Sequence, residues 1–273
     1  MTGLNKSARH SSPSMTAPAL EPAQLAPSSV LPILAPLFDQ RTAAYAARLV
    51  CDASSYAQAL PLPALLEGAA LDDAVRRHAA HWRSDDLRAV ASAWCLDYFA
   101  AMLVPAMAAA AVLRHQLPLA AAPLRGVLAP HRGMAQVCLP HAGHPWPQAS
   151  PSERYEELVW QHLAPVIAAL NKRFRTPSAV LWGNAVRYIH AVLQRGGLLV
   201  LPSQDGPAED RRLLLDSPLW PDGRTNPLYH RRAVPPAGVD YLHRNCCMYY
   251  RLPGEDYCAA CPLRSRHGQR AGD

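Results

Sequence analysis

Apolar residues recur at helical spacing along most of the chain, and alternating runs typical of strands are scarce. In the first half this spacing covers residues 31–53, residues 71–82 and the apolar run after Asp86. Ser84 is the predicted N-cap of that apolar run, and Pro105 predicts a kink within it. The pattern predicts a mainly α fold with helices packed on helices, a few short strands and a small C-terminal segment.

A capping box opens the next predicted helix. Ser150 and Glu153 stand at the required spacing, and Pro151 occupies the first helical position. The apolar residues that follow repeat at the spacing of one buried face: Val159, Leu163, Val166, Ile167 and Leu170. This segment is therefore predicted to be an amphipathic helix.

The helix predicted after it begins at Thr176 and ends at Gly196. Apolar residues form two stripes along it, so both sides are expected to be covered. Asn184 and Arg187 lie three residues apart and share the remaining face. Together with Trp182 they are candidates for contact with a substrate or for support of a cofactor.

Few strands are expected, at 134–139, 198–201 and 213–215. The predicted organisation has three parts: a disordered tail at 1–29, a mainly helical domain at 30–240 and a C-terminal segment at 241–265. A Pro-, Asn-, Asp- and Gly-rich loop is expected from 217 to 238.

Composition and charge limit the classes of function that are expected. Half of the 273 residues are hydrophobic, which excludes a disordered chain, and the net charge is only +6. The arginines are scattered along the sequence rather than gathered in one stripe, so a nucleic-acid reader is not expected. An anionic small molecule or an acidic protein partner suits this charge better.

No targeting or membrane-spanning segment is predicted. Residues 1–30 lack the uninterrupted apolar run of a secretory signal. The most apolar stretch, 98–113, is shorter than the roughly 20 residues a span needs and contains Pro105. A cytoplasmic protein is expected, and peripheral association with the inner membrane is left open.

Four of the seven cysteines crowd into a short window near the C-terminus: Cys246, Cys247, Cys258 and Cys261. Pro253 and Gly254 lie between the two pairs and predict a turn that lets the pairs face each other. Two residues between Cys258 and Cys261 allow both sulfurs to point at one metal centre. The window therefore predicts a metal or cluster site.

Three interpretations of these thiols are open: disulfides, a zinc site and a [2Fe-2S] cluster. Disulfides need an oxidising compartment, and adjacent cysteines are poor partners for each other. A four-thiolate zinc site normally uses two spaced pairs, whereas Cys246 and Cys247 are adjacent. A [2Fe-2S] cluster needs two thiolates on each iron, a demand that two pairs meet. Residue spacing alone leaves open which cysteine holds which iron.

The run from Arg244 to Pro253, followed by Cys258-Ala-Ala-Cys261-Pro262, resembles the C-terminal signature of the FhuF family of siderophore-iron reductases. Trp182-Gly183-Asn184 is similar to a second, weaker motif of that family, and the likeness extends over roughly 69–263. The resemblance implies a [2Fe-2S] cluster on the four cysteines and reduction of ferric siderophores in the cytosol.

An external electron donor follows from what the sequence lacks. It has no Gly-rich dinucleotide fingerprint, so electrons are expected to arrive from a separate acidic ferredoxin-like or flavin protein. Five arginines lie near the cysteines in sequence and are candidates for raising the cluster potential and steering that donor: Arg244, Arg251, Arg264, Arg266 and Arg270. The reaction itself needs no catalytic residue beyond the cluster.

Other metal-binding residue types are expected to be structural. Cys51, Cys95 and Cys138 lie in apolar surroundings typical of core thiols. The pairs His78/His81 and His141/His144 lack a third ligand nearby, whereas His243 is a candidate hydrogen-bond donor to a cluster sulfur. Two rival functions remain at this stage: a zinc-stabilised adaptor, and a relative of siderophore synthetases that consumes ATP.

Overall fold

The computed structural model describes residues 31–40, 42–130, 133–194, 208–229 and 241–264. The tail predicted at 1–29 and the strand predicted at 198–201 lie outside these residues, as do Arg266 and Arg270.

Helices dominate the described residues and form most of the core, as the periodicity predicts. The described residues contain nine α-helical segments, in order α1 Ala43–Ala46, α2 Ala53–Gln58, α3 Leu62–Glu67, α4 Ala69–Trp82, α5 Leu87–Leu113, α6 Pro151–Glu156, α7 Ala164–Phe174, α8 Ser178–Leu193 and α9 Ala208–Arg211. A π-helical stretch, Glu157–Leu163, joins α6 to α7, and another, Arg212–Asp216, follows α9. Short 3-10 turns occur at Ala35–Leu37 and Tyr249–Arg251.

The strands are short and flank the helices. They are β1 Leu49–Val50, β2 Leu60–Pro61, β3 His115–Gln116, β4 Arg125–Leu128, β5 Met134–Cys138 and β6 His144–Pro145. The larger sheet has the order β1-β5-β4-β2, in which β1 runs parallel to β5 and the other pairs are antiparallel; β3 and β6 form a separate antiparallel pair. The strand predicted at 134–139 is confirmed as β5.

Helix α5 is the centre of the core. Its residues are apolar on every face, and nearly all from Ala89 to Ala111 are buried, which is typical of a helix surrounded by other elements. Its N-cap is Asp86, whose carboxylate accepts from the Ala89 N–H, rather than Ser84. The helix continues through Pro105.

Helix α5 is also long and apolar enough to cross a membrane by length and composition. However, 89% of its most apolar 18-residue window is buried inside the protein. Burial of this extent is typical of a core helix.

Two predicted elements are wrong. Residues 31–53 do not form one helix; they contain a 3-10 turn, α1 and β1, because Pro32 and Pro36 lack the N–H that a continuous helix needs. Residues 213–215 lie in a π-helical stretch rather than a strand, with Leu214 and Leu215 buried in the core. A short apolar run does not distinguish a strand from a buried helix by periodicity alone.

The predicted capping box is present at α6. The Glu153 N–H donates to Ser150 Oγ, and the Glu153 carboxylate accepts from the Ser150 N–H at 2.8 Å. The helix continues through the π-helical stretch into α7 and buries its predicted apolar face against the core. Helix α8 packs along α5.

A buried histidine fixes the π-helical stretch to α5. His162 Nε2 lies 2.7 Å from the Tyr98 hydroxyl, and His162 Nδ1 lies 2.9 Å from the Leu119 carbonyl oxygen. The carbonyl can only accept, so Nδ1 carries the proton and Nε2 accepts from Tyr98. Burial lowers the pKa of His162 to about 4, which keeps the ring neutral at physiological pH.

We expect this histidine to make folding stability pH-dependent. The unfolded state has the ordinary, higher pKa, so it binds the proton first as the pH falls below about 6.5, and the free energy of unfolding decreases from there toward pH 4. The loss should reach up to about 3 kcal/mol. Urea unfolding of the wild type and of His162→Gln at pH 7 and pH 4.5 measures it. An equal pH dependence in the two proteins would contradict the assignment.

A buried carboxylate anchors α9. Asp210 is fully buried and accepts from Arg154 at 2.5 Å, from the Tyr155 hydroxyl at 2.7 Å and from Arg114 at 3.3 Å. Arg154 is itself 3% exposed. The network ties the end of α5 and the start of α6 to the chain that leads toward the C-terminal segment.

Candidate metal centre

The turn between the two cysteine pairs has the predicted position. Gly254 has a φ of +80°, and the Glu255 N–H donates to the Leu252 carbonyl oxygen at 3.1 Å. Proline followed by a glycine of positive φ is the signature of a type II turn. The turn reverses the chain and returns Cys258 and Cys261 to the side of Cys246.

The two cysteine pairs meet through one contact between sulfurs. Cys261 Sγ lies 3.6 Å from Cys246 Sγ and donates to it. The hydrogen bond from Cys261, together with one from the Met248 N–H, lowers the pKa of Cys246. The pKa of Cys258 is raised to about 11 by its interaction with Cys261 and by burial, and the pKa of Cys261 is raised as well. Of these three thiols, Cys246 is therefore the one that loses its proton most readily.

The cysteines differ in exposure. Cys247 and Cys261 are buried at 4% and 3% exposure, Cys246 is partly buried, and Cys258 is exposed. Cys247 belongs to the main hydrophobic core, together with Leu252. The site thus has an inner side against the helices and an outer side at Cys258.

Helices α5 and α8 form the floor under the inner side. The Asn184 amide donates to the carbonyl and hydroxyl oxygens of Ser92, and the Ser92 hydroxyl donates to the Cys247 carbonyl oxygen at 2.8 Å. A Cβ added at Gly183 would lie 3.1 Å from the Cβ of Asn245. Gly183 therefore permits the close approach of the segment just before Cys246.

Arg187 lies one helical turn after Gly183 and faces the same segment. Its guanidinium lies close enough to Cys247 and Cys258 for the charges of these thiols to act on it. Burial would lower the pKa of Arg187, but the charges of Cys247 and Cys258 act against burial, and the pKa is raised above its ordinary value. This guanidinium supplies a fixed positive charge beside the thiols.

Aromatic and histidine side chains line the rest of the site. Burial lowers the pKa of the His243 imidazole, which lies near Cys258, and among the described residues its buried Nδ1 has no hydrogen-bond partner. Tyr250 and Tyr257 stack with ring centroids 4.4 Å apart on the loop that carries Cys258.

The remaining candidates have different positions. Trp182 is partly buried and packs against the core. Arg244 donates to the Pro227 carbonyl oxygen, so its guanidinium holds a loop rather than facing outward. Arg251 is exposed and pairs with Asp86 at 2.6 Å, and Arg264 is exposed.

The other thiols and histidines lie apart from the site. Cys95 and Cys138 are fully buried, Cys51 is partly buried, and none of the three forms a disulfide. His78 is buried and accepts from the Trp82 indole, whereas His141 and His144 are exposed. In the part of the chain that the structure describes, no three His, Cys, Asp or Glu side chains surround a single ion position.

We expect Ser92→Ala to loosen the floor of the site. The change removes the donor to the Cys247 carbonyl and leaves that buried group and the Asn184 amide without this partner, at a cost of about 1–3 kcal/mol. Thermal or urea unfolding measures the loss, and the exposed Ser178→Ala is the control. Equal stability of the two variants would show that Ser92 contributes nothing.

Comparison with known proteins decides the family. Residues 92–238 match the family model described as "Ferric iron reductase FhuF-like transporter", and residues 244–263 match "FhuF 2Fe-2S C-terminal domain". The chain belongs to the FhuF family. A curated relative from Escherichia coli (strain K12), named "Ferric siderophore reductase", is 30% identical over 115 residues, 42% of each chain. The chain therefore matches less than half of that relative's length.

The FhuF 2Fe-2S domain match shows a [2Fe-2S] cluster as the cofactor, and the residues present fit it. All four donors are sulfurs, the ligand type that iron–sulfur clusters use. Two of these sulfurs, Cys246 Sγ and Cys261 Sγ, lie 3.6 Å apart.

Sequence reasoning missed Ser92 and the role of Gly183. Ser92 lies 155 residues from Cys247, so no local pattern links them. Gly183 did carry a signal, because a glycine inside a helix is unfavourable unless a close approach requires it.

Proposed function

We propose that this FhuF-family protein is a ferric-siderophore reductase whose [2Fe-2S] cluster is held by Cys246, Cys247, Cys258 and Cys261. The proposed reaction passes one electron to siderophore-bound Fe(III) and releases Fe(II) in the cytosol. The observation that carries the proposal is that the turn at Gly254 brings both cysteine pairs together on the α5–α8 floor. The relative named "Ferric siderophore reductase" supports the substrate class.

When bound, the cluster supplies a one-electron couple. Siderophore oxygens hold Fe(III) more tightly than Fe(II), because hard donors prefer the harder ion, so one electron is enough to loosen the substrate iron. The protein must hold the redox centre rigidly and leave an approach to it. Ser92 and Asn184 provide the rigid floor, whereas the exposed Cys258 marks the side open to partners.

The charge on the outer side is mixed. Arg251 and Arg264 are exposed on the C-terminal segment, but Glu255 and Asp256 are exposed there as well, and Arg251 pairs with Asp86 at 2.6 Å. Arg244 is not part of this surface, because its guanidinium binds the Pro227 carbonyl. We include in the proposal an external ferredoxin-like or flavin donor and the division into a helical part at 30–240 and a cluster-binding segment at 241–265.

The test is spectroscopic and starts from anaerobically purified protein. Iron and acid-labile sulfide should be present in equal amounts, and dithionite should bleach the visible absorbance and produce an EPR signal. Adding a ferric siderophore should restore the absorbance and yield Fe(II), which a ferrous chelator detects. A colourless protein with stoichiometric zinc would favour the adaptor alternative, and a reduced cluster that no ferric siderophore reoxidises would exclude the proposed activity.

A further inference from the structure

Exposed arginines lie together where α4 turns into α5. Arg83 ends α4 in a left-handed conformation with a φ of 51°, and α5 begins at Leu87 with Arg88 in its first turn. Arg76 and Arg83 line an open cavity of about 380 Å³. The three guanidinium groups are exposed and form no ion pair or hydrogen bond within the described residues. Residues 82–88 and Arg76 are called the α4–α5 corner below.

Arg88 lies beside the segment that carries the cysteines. It is four residues before Ser92 on α5, so the two side chains share one face of the helix, with Cβ atoms about 5–6 Å apart. Ser92 donates to the Cys247 carbonyl oxygen at 2.8 Å. The Arg88 carbonyl accepts from the buried Thr176 hydroxyl at 3.2 Å, which places the exposed Arg175 close by. Arg88 is therefore an unpaired cation one helical turn from the floor of the site.

Two side-chain contacts hold the corner against the same segment. The Trp82 indole packs edge-on against the Tyr249 ring, with centroids 5.3 Å apart, and Asp86 pairs with Arg251 at 2.6 Å. Tyr249 follows Cys247 by only two residues. The position of the corner's charges relative to the cysteines is therefore set by the fold.

Positive charge dominates the corner, unlike the mixed charge of the C-terminal segment. Of the two carboxylates between residues 82 and 88, that of Asp86 is bound by Arg251 and by the Ala89 N–H, which leaves Asp85 to oppose the arginines. Unpaired surface charges of one sign attract an oppositely charged protein and speed its association. The corner therefore fits an acidic protein partner.

We propose that the acidic one-electron donor of this protein docks on the α4–α5 corner, with Arg83 and Arg88 as its main contacts. The inference rests on the proposed function, because it needs a cluster that receives the electron. In the step, the reduced donor gives up one electron, one Fe(III) of the cluster becomes Fe(II), and no covalent bond forms or breaks. The arginines bring the donor to the cysteine segment and take no part in the chemistry.

Isothermal titration calorimetry at low salt tests the docking, with an oxidised acidic [2Fe-2S] ferredoxin as the probe. The double variant Arg83→Glu/Arg88→Glu should bind at least about tenfold more weakly than the wild type. Both side chains are exposed, and a glutamate in the first turn of α5 suits the helix dipole, so folding should be retained. The control Arg212→Glu changes an exposed arginine next to α9, whose Asp210 binds Arg114 at the other end of α5. Equal affinities of the double variant and the control, or no binding by the wild type, would overturn the proposal.

Electron transfer in two directions separates docking from damage to the protein. In stopped-flow mixing, the double variant should accept electrons from the reduced ferredoxin at least about tenfold more slowly than the wild type. After reduction with dithionite, it should instead pass electrons to a basic cytochrome c faster. Both differences should disappear near 1 M salt, where the Debye length is about 3 Å. Unchanged rates, slower transfer to both partners or a difference that persists at high salt would overturn the proposal, whereas wild-type protein without iron and sulfide would remove the proposed function itself.

Discussion

Replacing Cys247 with alanine should abolish the visible absorbance and the EPR signal of the reduced protein. Alanine offers no ligand, and a [2Fe-2S] cluster needs two donors on each iron. Cys247 is buried in the core, and its carbonyl accepts from the Ser92 hydroxyl. Iron and sulfide content should fall to background, and ferric-siderophore reduction should be lost with them.

The loss should be confined to the cofactor. The described helices get their core from α5, α7 and α8, so far-UV circular dichroism should keep its helical signal. Cys51→Ala is the matched control, because Cys51 is a partly buried thiol outside the site. If Cys247→Ala retained full iron and sulfide, the ligand assignment would be wrong.

The largest effect on stability is expected from Asp210→Ala. The change leaves Arg154 buried without its carboxylate, and breaking a buried ion pair in this way costs about 3–5 kcal/mol. Tyr155 loses its hydrogen-bond acceptor at the same time. Urea unfolding should show a correspondingly lower free energy of unfolding. Asp72→Ala, which removes a half-exposed partner of Arg173, should change it little.

Asp210→Ala should also affect the C-terminal segment that carries the four cysteines. Asn226 donates to the carbonyl oxygens of Leu213 and Leu214, just after α9, and the neighbouring Pro227 carbonyl accepts from Arg244, two residues before Cys246. Loosening α9 should therefore speed the loss of iron on mild heating. If Asp210→Ala were destabilised but lost iron at the wild-type rate, this connection would be absent.

Several features were predictable because their causes are local. The capping box at Ser150 and the turn at Pro253 and Gly254 depend only on residues a few positions apart. Helix α4 agrees with the periodicity of 71–82. Residues 31–53 and 213–215 were assigned wrongly because proline breaks and tertiary burial outweighed an apolar pattern that fits more than one element.

The sequence by itself determined the helical class, the family resemblance and the set of four thiols, since periodicity, composition and cysteine spacing are properties of the chain alone. Only the tertiary structure decided that Ser92 and Asn184 support Cys247, that Arg187 faces Cys247 and Cys258, and that Arg244 holds a loop. These contacts join residues that are far apart along the chain. Their partners are chosen by how α5, α8 and the C-terminal segment pack, which no local pattern encodes.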